Sequence, residues 1–181
     1  MNRFTNAGLS MIILVTNVSA ANAQDRSGFA VNGGIGASTV RDKDAAETFS
    51  GNAFAFSLGF EYRFTQVFAL GFGTFNLGKP SDTLNSVDTE FDVRGVELLA
   101  RFYFPVSEKV EVFGLIGNAN YYVDIEPGGN NGLFGEEAWE AGAGIDFDTA
   151  EDFSVRIEGR YFDGPRDESA GLLTVGFSYR F

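Results

Sequence analysis

The chain has 181 residues, a formal charge of −12, no cysteine and no histidine. That length is the prior for one domain, and the acidic balance excludes nucleic acid as a partner, because phosphates are bound by lysine and arginine. Without cysteine or histidine there is no disulfide framework, no imidazole or thiolate zinc site and no Ser/His/Asp or Cys/His nucleophile.

The first stretch reads as a leader. Arg3 gives a positive start, Ala7 to Val18 is mostly apolar, and Ala21-Asn22-Ala23 is an A-x-A site. That order describes a secretory signal peptide over residues 1–23, with the folded domain over 24–181. Loss of Arg3 with the leader takes the charge from −12 to −13. No other stretch approaches the ~20 continuous apolar residues of a spanning helix. The composition, with 20 Phe, 6 Tyr, 23 Gly and only 4 Pro, favours aromatic strands.

Taken in order, the first strand alternates Phe29, Val31, Gly33, Ile35 and Ala37 with Ala30, Asn32, Gly34 and Gly36, and residues 39–51 form a long polar loop. The second puts Phe54, Phe56, Leu58, Phe60, Tyr62 and Phe64 opposite Ala55, Ser57, Gly59, Glu61 and Arg63. After a short turn at Thr65-Gln66, the third sets Phe68, Leu70 and Phe72 against Ala69, Gly71 and Gly73, losing its phase near Phe75. A second long loop covers residues 78–90. In the fourth, Val96, Leu98, Phe102 and Phe104 lie opposite Glu97, Leu99, Arg101 and Tyr103, and its out-of-phase start predicts a bulge around Gly95.

Pro105 to Glu108 is the second short turn. The fifth strand, residues 109–123, is apolar on both faces; Phe113, Leu115 and Tyr121 are assigned outward. Residues 124–136 form the third long loop. The sixth strand places Trp139, Ala141, Ala143, Ile145 and Phe147 opposite Glu140 and Asp146. The seventh, after a short turn at residues 149–152, sets Phe153, Val155, Ile157 and Tyr161 against Arg156, Glu158 and Arg160. The last carries Leu173, Val175, Phe177, Tyr179 and Phe181 on one face and Thr174, Gly176, Ser178 and Arg180 on the other.

Eight strands joined by alternating long and short connections predict an all-β fold, an antiparallel up-and-down transmembrane β-barrel with its long loops at one end. Each strand has the roughly 9–11 residues needed to cross a bilayer at a tilt. The residues assigned to lipid are Phe54, Phe56, Phe60, Tyr62, Phe64, Phe68, Phe72, Phe102, Phe104, Trp139, Phe147, Phe153, Tyr161, Phe177, Tyr179 and Phe181. Phe29, Phe64, Phe68, Phe104, Phe113, Phe147, Phe153 and Phe181 would form a girdle at the short-turn end, with Tyr121, Trp139 and Tyr161 near the other interface.

This alternation, the loop rhythm and the terminal GFSYRF resemble the eight-stranded bacterial outer-membrane β-barrels that include OmpA-like and opacity-type porin-family domains. The resemblance covers residues 24–181. It implies a Gram-negative outer-membrane location, contact with outer-membrane lipid and lipopolysaccharide, and delivery to the barrel-assembly machinery through the C-terminal strand.

Charges on the inward faces are Glu61, Glu97, Glu140, Asp146 and Glu158 against Arg63, Arg101, Arg156, Arg160 and Arg180. Buried charges persist only when paired, so a salt-bridged, plugged interior follows, and similar relatives carry comparable Arg and Glu networks. No cofactor and no catalytic residue is expected; outer-membrane barrel hydrolases similar to this family rely on a His absent here. Residues 73–79 (GTFNLGK) nearly spell a phosphate loop, but Pro80 stands where Ser or Thr would meet magnesium. The acidic loops show no ordered metal-ligand spacing. The reading is a structural or surface-interacting envelope barrel with extracellular acidic loops. The alternatives are a narrow passive or gated pore for ions and very small solutes, or a soluble periplasmic lipocalin-like barrel holding an apolar ligand inside.

Overall fold

The computed structural model describes residues 26–42, 49–84, 87–126, 133–164 and 168–181. The expected signal peptide lies outside them. Nine strands form one antiparallel sheet: β1 (Gly28–Asp42), β2 (Phe49–Arg63), β3 (Phe68–Asn76), β4 (Ser81–Leu84), β5 (Val87–Ser107), β6 (Val110–Glu126), β7 (Leu133–Asp148), β8 (Phe153–Asp163) and β9 (Glu168–Arg180). Consecutive strands pair except β3 and β4, β1 closes on β9, and β3 pairs with β5. The short β4 extends the line of β3 along β5, since Leu77 N donates to Val93 O at 2.8 Å and β4 then pairs with Thr89 and Glu90. The wall is therefore a closed up-and-down barrel of eight staves, its circumference completed by the β1–β9 and β3–β5 pairings.

Two short turns share one local solution. Thr65 and Thr149 each open a turn whose amides bond back to a phenylalanine carbonyl, Thr65 N to Phe68 O at 3.3 Å and Thr149 N to Phe153 O at 3.0 Å. The threonine hydroxyls add bonds of their own, Phe68 N to Thr65 Oγ1 at 3.1 Å and Thr149 Oγ1 to Phe153 O at 3.2 Å. At the junction of β3 and β4 the chain needs Gly78, whose φ of +74° disfavours a side chain and whose N donates to Asn76 Oδ1 at 2.6 Å.

The apolar faces point out. Phe56, Phe60 and Phe177 are 47%, 62% and 37% exposed, while Glu61, Arg101, Arg156 and Arg160 are buried inside. The lipocalin-like arrangement, which needs the reverse, is therefore not the one this chain adopts. The lower girdle is a run of touching rings: Phe29 to Tyr62 and Tyr62 to Phe64 at 4.7 Å, Phe64 to Phe68 at 6.0 Å, and Phe68 to Phe102 at 5.5 Å.

Three expectations are corrected. Phe113 and Leu115 face inward and are buried, with Ile116 and Tyr122 outside; Tyr121, half-buried, also packs inward. Directly paired residues share a face, and the ladder sets Phe113 opposite Tyr103, Leu115 opposite Arg101 and Tyr121 opposite Gly95. No bulge occurs at Gly95, since the β5–β6 ladder runs unshifted from Glu90 to Pro105 and slips only between Pro105 and Ser107, where proline cannot donate. The three predicted long loops are shortened by strands that run on into them, β1 to Asp42, β2 from Phe49, β5 from Val87, β6 to Glu126 and β7 from Leu133. Arg180, expected on an inner face, lies at the short-turn mouth, where its Nη2 donates to Glu151 O at 3.0 Å and stands 3.6 Å from Asp148 Oδ1.

The lumen has two compartments. Towards the long loops it is apolar, filled by Ala55, Phe75, Leu77, Val93, Ala119, Ala138, Phe162 and Leu172, with the Phe75 and Phe162 rings 4.8 Å apart. At this level the outer face turns polar, as shown by Arg94 and Asp124, paired at 3.3 Å and exposed. Towards the short turns the lumen is ionic, with a second apolar cluster of Ala69, Leu99, Tyr103, Phe113 and Leu115 set among the charges.

Candidate functional site: the ionic interior

Alternation along β8 sends Arg156, Glu158 and Arg160 to the same inner face, and β5 and β7 supply Glu97, Arg101, Glu140 and Asp146. Glycine makes the room. A Cβ on Gly71 would lie 3.0 Å from Arg101 Nη1, and one on Gly73 would lie 2.8 Å from Glu97 Oε1.

The charges form one chain across the barrel. Arg156 clasps Asp146 through Nε and Nη2, both at 2.7 Å, and Nη2 also donates to Tyr103 Oη at 3.0 Å. The Tyr103 hydroxyl donates to Glu61 Oε1 at 2.7 Å. Arg101 then bridges Glu61 at 2.9 Å and Glu158 at 3.1 Å. Arg160 finishes the chain, meeting Glu97 at 2.5 Å and both Glu140 and Glu158 at 3.1 Å. Aromatic faces line the same space, with the Arg63 guanidinium 4.1 Å from the Tyr103 ring centroid and that of Arg156 4.6 Å from Phe113.

A second group closes the short-turn mouth. Arg63 forks onto Glu111 with two bonds of 3.0 Å and also donates to the Gln66 carbonyl. Arg26, just ahead of β1, reaches Glu111 at 2.6 Å and Asp148 at 2.5 Å. Asp148 holds both ends of the described chain, because Arg180 lies 3.6 Å from its other oxygen, which also accepts from Ser154 at 2.6 Å. Replacing Asp148 with Asn keeps the volume and removes the charge. Because the mouth is partly wet, the expected loss is about 1–2 kcal/mol, between the scale of an exposed ion pair and that of a buried hydrogen bond to a charged group. It is read as a lower urea midpoint in detergent, and an unchanged midpoint would show that the termini are not tied through this residue.

The predicted interior charges Glu61, Arg63, Glu97, Arg101, Glu140, Asp146, Arg156, Glu158 and Arg160 are all buried. Sequence reasoning missed Glu111, Arg26, Asp148 and the linking role of Tyr103. Glu111 was readable once Phe113, two residues on, is placed inside. Arg26 precedes the first periodic segment and had no signal. Among the described residues no group of three or more acidic side chains is arranged to hold a metal ion. Each guanidinium of the network faces a carboxylate, so the arrangement chiefly binds itself.

A sequence comparison with curated proteins returns no match. Neisserial surface protein A has a similar structure, with a TM-score of 0.64 at 16% identity over 86% of this chain and 98% of that one. OprG from Pseudomonas aeruginosa gives 0.63 at 14% identity over 88% and 98%. Ail from Yersinia pestis, in a phospholipid bilayer nanodisc, gives 0.52 at 19% identity over 86% and 99%. These likenesses show a shared fold. The family described as "Outer membrane protein beta-barrel domain" matches residues 8–181. With its closed antiparallel wall and apolar exterior, the chain belongs to that outer-membrane β-barrel family and is a protein of the Gram-negative outer membrane.

Proposed function

We propose that the barrel is a closed, non-catalytic envelope element that anchors its long acidic loops at the cell surface and does not conduct. The observation that carries this reading is the filling of the lumen at successive levels: the Arg26 and Arg63 clamp on Glu111, the network centred on Arg101 and Arg160, and the apolar cluster around Phe75 and Phe162. An ion crossing this path has to break buried charge pairs and then enter an apolar constriction that water leaves readily.

In this reading residues 1–23 are removed on export, and the final strand, ending at the exposed Phe181, is presented to the barrel-assembly machinery. The outer-face aromatics from Phe54 to Tyr179 meet lipid, while Tyr122, Trp139 and Tyr161, all exposed, sit at the lipopolysaccharide interface.

Planar-bilayer recording is the test. Purified barrel is expected to give no discrete conductance steps. Steps of steady amplitude from the unaltered protein would replace this reading with the narrow pore.

A further inference from the structure

The inner wall facing the ion pairs is made of small residues. Gly34 on β1, Ser57 and Gly59 on β2, and Gly176 on β9 leave a cavity of about 20 Å³ between themselves and Arg101, Glu158 and Arg160. Asn32 projects into it from β1. It is 7% exposed, and neither its Oδ1 nor its Nδ2 has a hydrogen-bonding partner in the protein. An amide stranded in this way is costly, and native interiors satisfy such groups with protein atoms or ordered water.

Size and charge together select the occupant. Roughly 10–15 Å³ suffices for one water molecule, provided the lining is polar and offers two to four partners. Beside Asn32, Arg156 Nη1 and Arg160 Nη2 are buried donors without a hydrogen-bond acceptor. An ion would instead need uncommitted charge. Arg101 is engaged by Glu61 and Glu158, and Arg160 by Glu97, Glu140 and Glu158, so little is on offer.

The chamber lies between two seals. On the long-loop side the apolar cluster of Phe75, Phe162 and Leu172 offers water no partner. On the short-turn side the seal is polar: Arg63 and Arg26 meet on Glu111, and Arg26 continues to Asp148. Arg26 belongs to no strand, so its displacement breaks no ladder bond.

We propose that Asn32 anchors an interior hydration site of about one or two water molecules, and that this water exchanges with bulk solvent past Arg26 at the short-turn mouth. Nuclear magnetic resonance of the ¹⁵N-labelled barrel in phospholipid nanodiscs tests both halves. The Asn32 side-chain amide, identified by its loss in Asn32→Leu, is expected to show a rotating-frame cross-peak to water. Asn32→Ser, which keeps a hydrogen-bonding group, retains a water contact at Thr174. Arg26→Ala raises the exchange rate about tenfold or more, the change that removal of one charge-assisted hydrogen bond from the barrier brings.

Absence of the water cross-peak in the unaltered protein overturns the site. So does a shift of the Asn32 resonances when chloride is replaced by a larger anion at constant ionic strength, which would identify an anion instead. An exchange rate unchanged in Arg26→Ala overturns the route.

Discussion

Replacing Arg160 with alanine is expected to cost the barrel about 3–5 kcal/mol, the loss that follows when one partner of a buried ionic cluster is removed. The side chain is 1% exposed and stands among Glu97, Glu140 and Glu158. Glu158 keeps Arg101 as a partner, but in the described network Glu97 and Glu140 have only Arg160. Two carboxylates would then be left in a space from which water is largely excluded. Urea titration read by fluorescence measures the loss, because Trp139 is the single tryptophan and lies on the outer face, 68% exposed. Combining Arg160→Met with Glu97→Gln and Glu140→Gln removes the stranded charges and recovers most of the stability, since neutral replacement of a whole buried cluster is tolerated far better than its halving. A loss below about 1 kcal/mol for Arg160→Ala, the scale of an exposed pair, would show that the cluster is as wet as a surface salt bridge.

Gly36→Val is expected to prevent the barrel from closing. A Cβ on Gly36 would sit 1.8 Å from Leu173 O and 2.8 Å from both Leu173 C and Thr174 Cα. Those are backbone atoms, so no rotamer change relieves the clash; the strands themselves must part. The contact falls on the β1–β9 pairing, where the first strand meets the last. Overpacking in a core costs about 1–3 kcal/mol and more where backbone has to move. Loss of the heat-modifiable, faster-migrating band in cold electrophoresis reads the failure. Gly114→Ala is the control, with nothing within 4 Å of its Cβ, and it folds like the parent. Normal migration of Gly36→Val would mean that the seam has slack this geometry does not contain.

Much of this fold was legible because membrane barrels write their environment into alternate residues. β2, β8 and β9 carry aromatic or aliphatic side chains on one face and small or charged ones on the other, so the parity of Glu61, Arg156 or Arg160 was unambiguous. β6 was opaque for a physical reason: its inner side chains Phe113, Leu115 and Ala119 fill apolar parts of the lumen while Ile116 faces out, so neither face looked interior. The misplaced phase hid Glu111 with it. A similar cause produced the bulge expected at Gly95. Val93 points in and Arg94 out, a reversal that marks a change of surroundings, from lipid outside to water outside, while the register continues unbroken. Alternation reports which face a residue occupies and says little about how far along the axis its partners lie, so the pairing of Arg180 with Asp148 at the short-turn mouth had no sequence signal.

β5 has 21 residues, about twice the roughly 9–11 that cross a bilayer. The surplus is not bare ribbon, because the cluster around Phe75 and Phe162 gives it a core of its own. The upper part of the wall is thus a pedestal, apolar within and carrying the exposed Arg94–Asp124 pair on its outer face. Sequence grafted onto its rim is therefore expected to leave the core beneath it undisturbed.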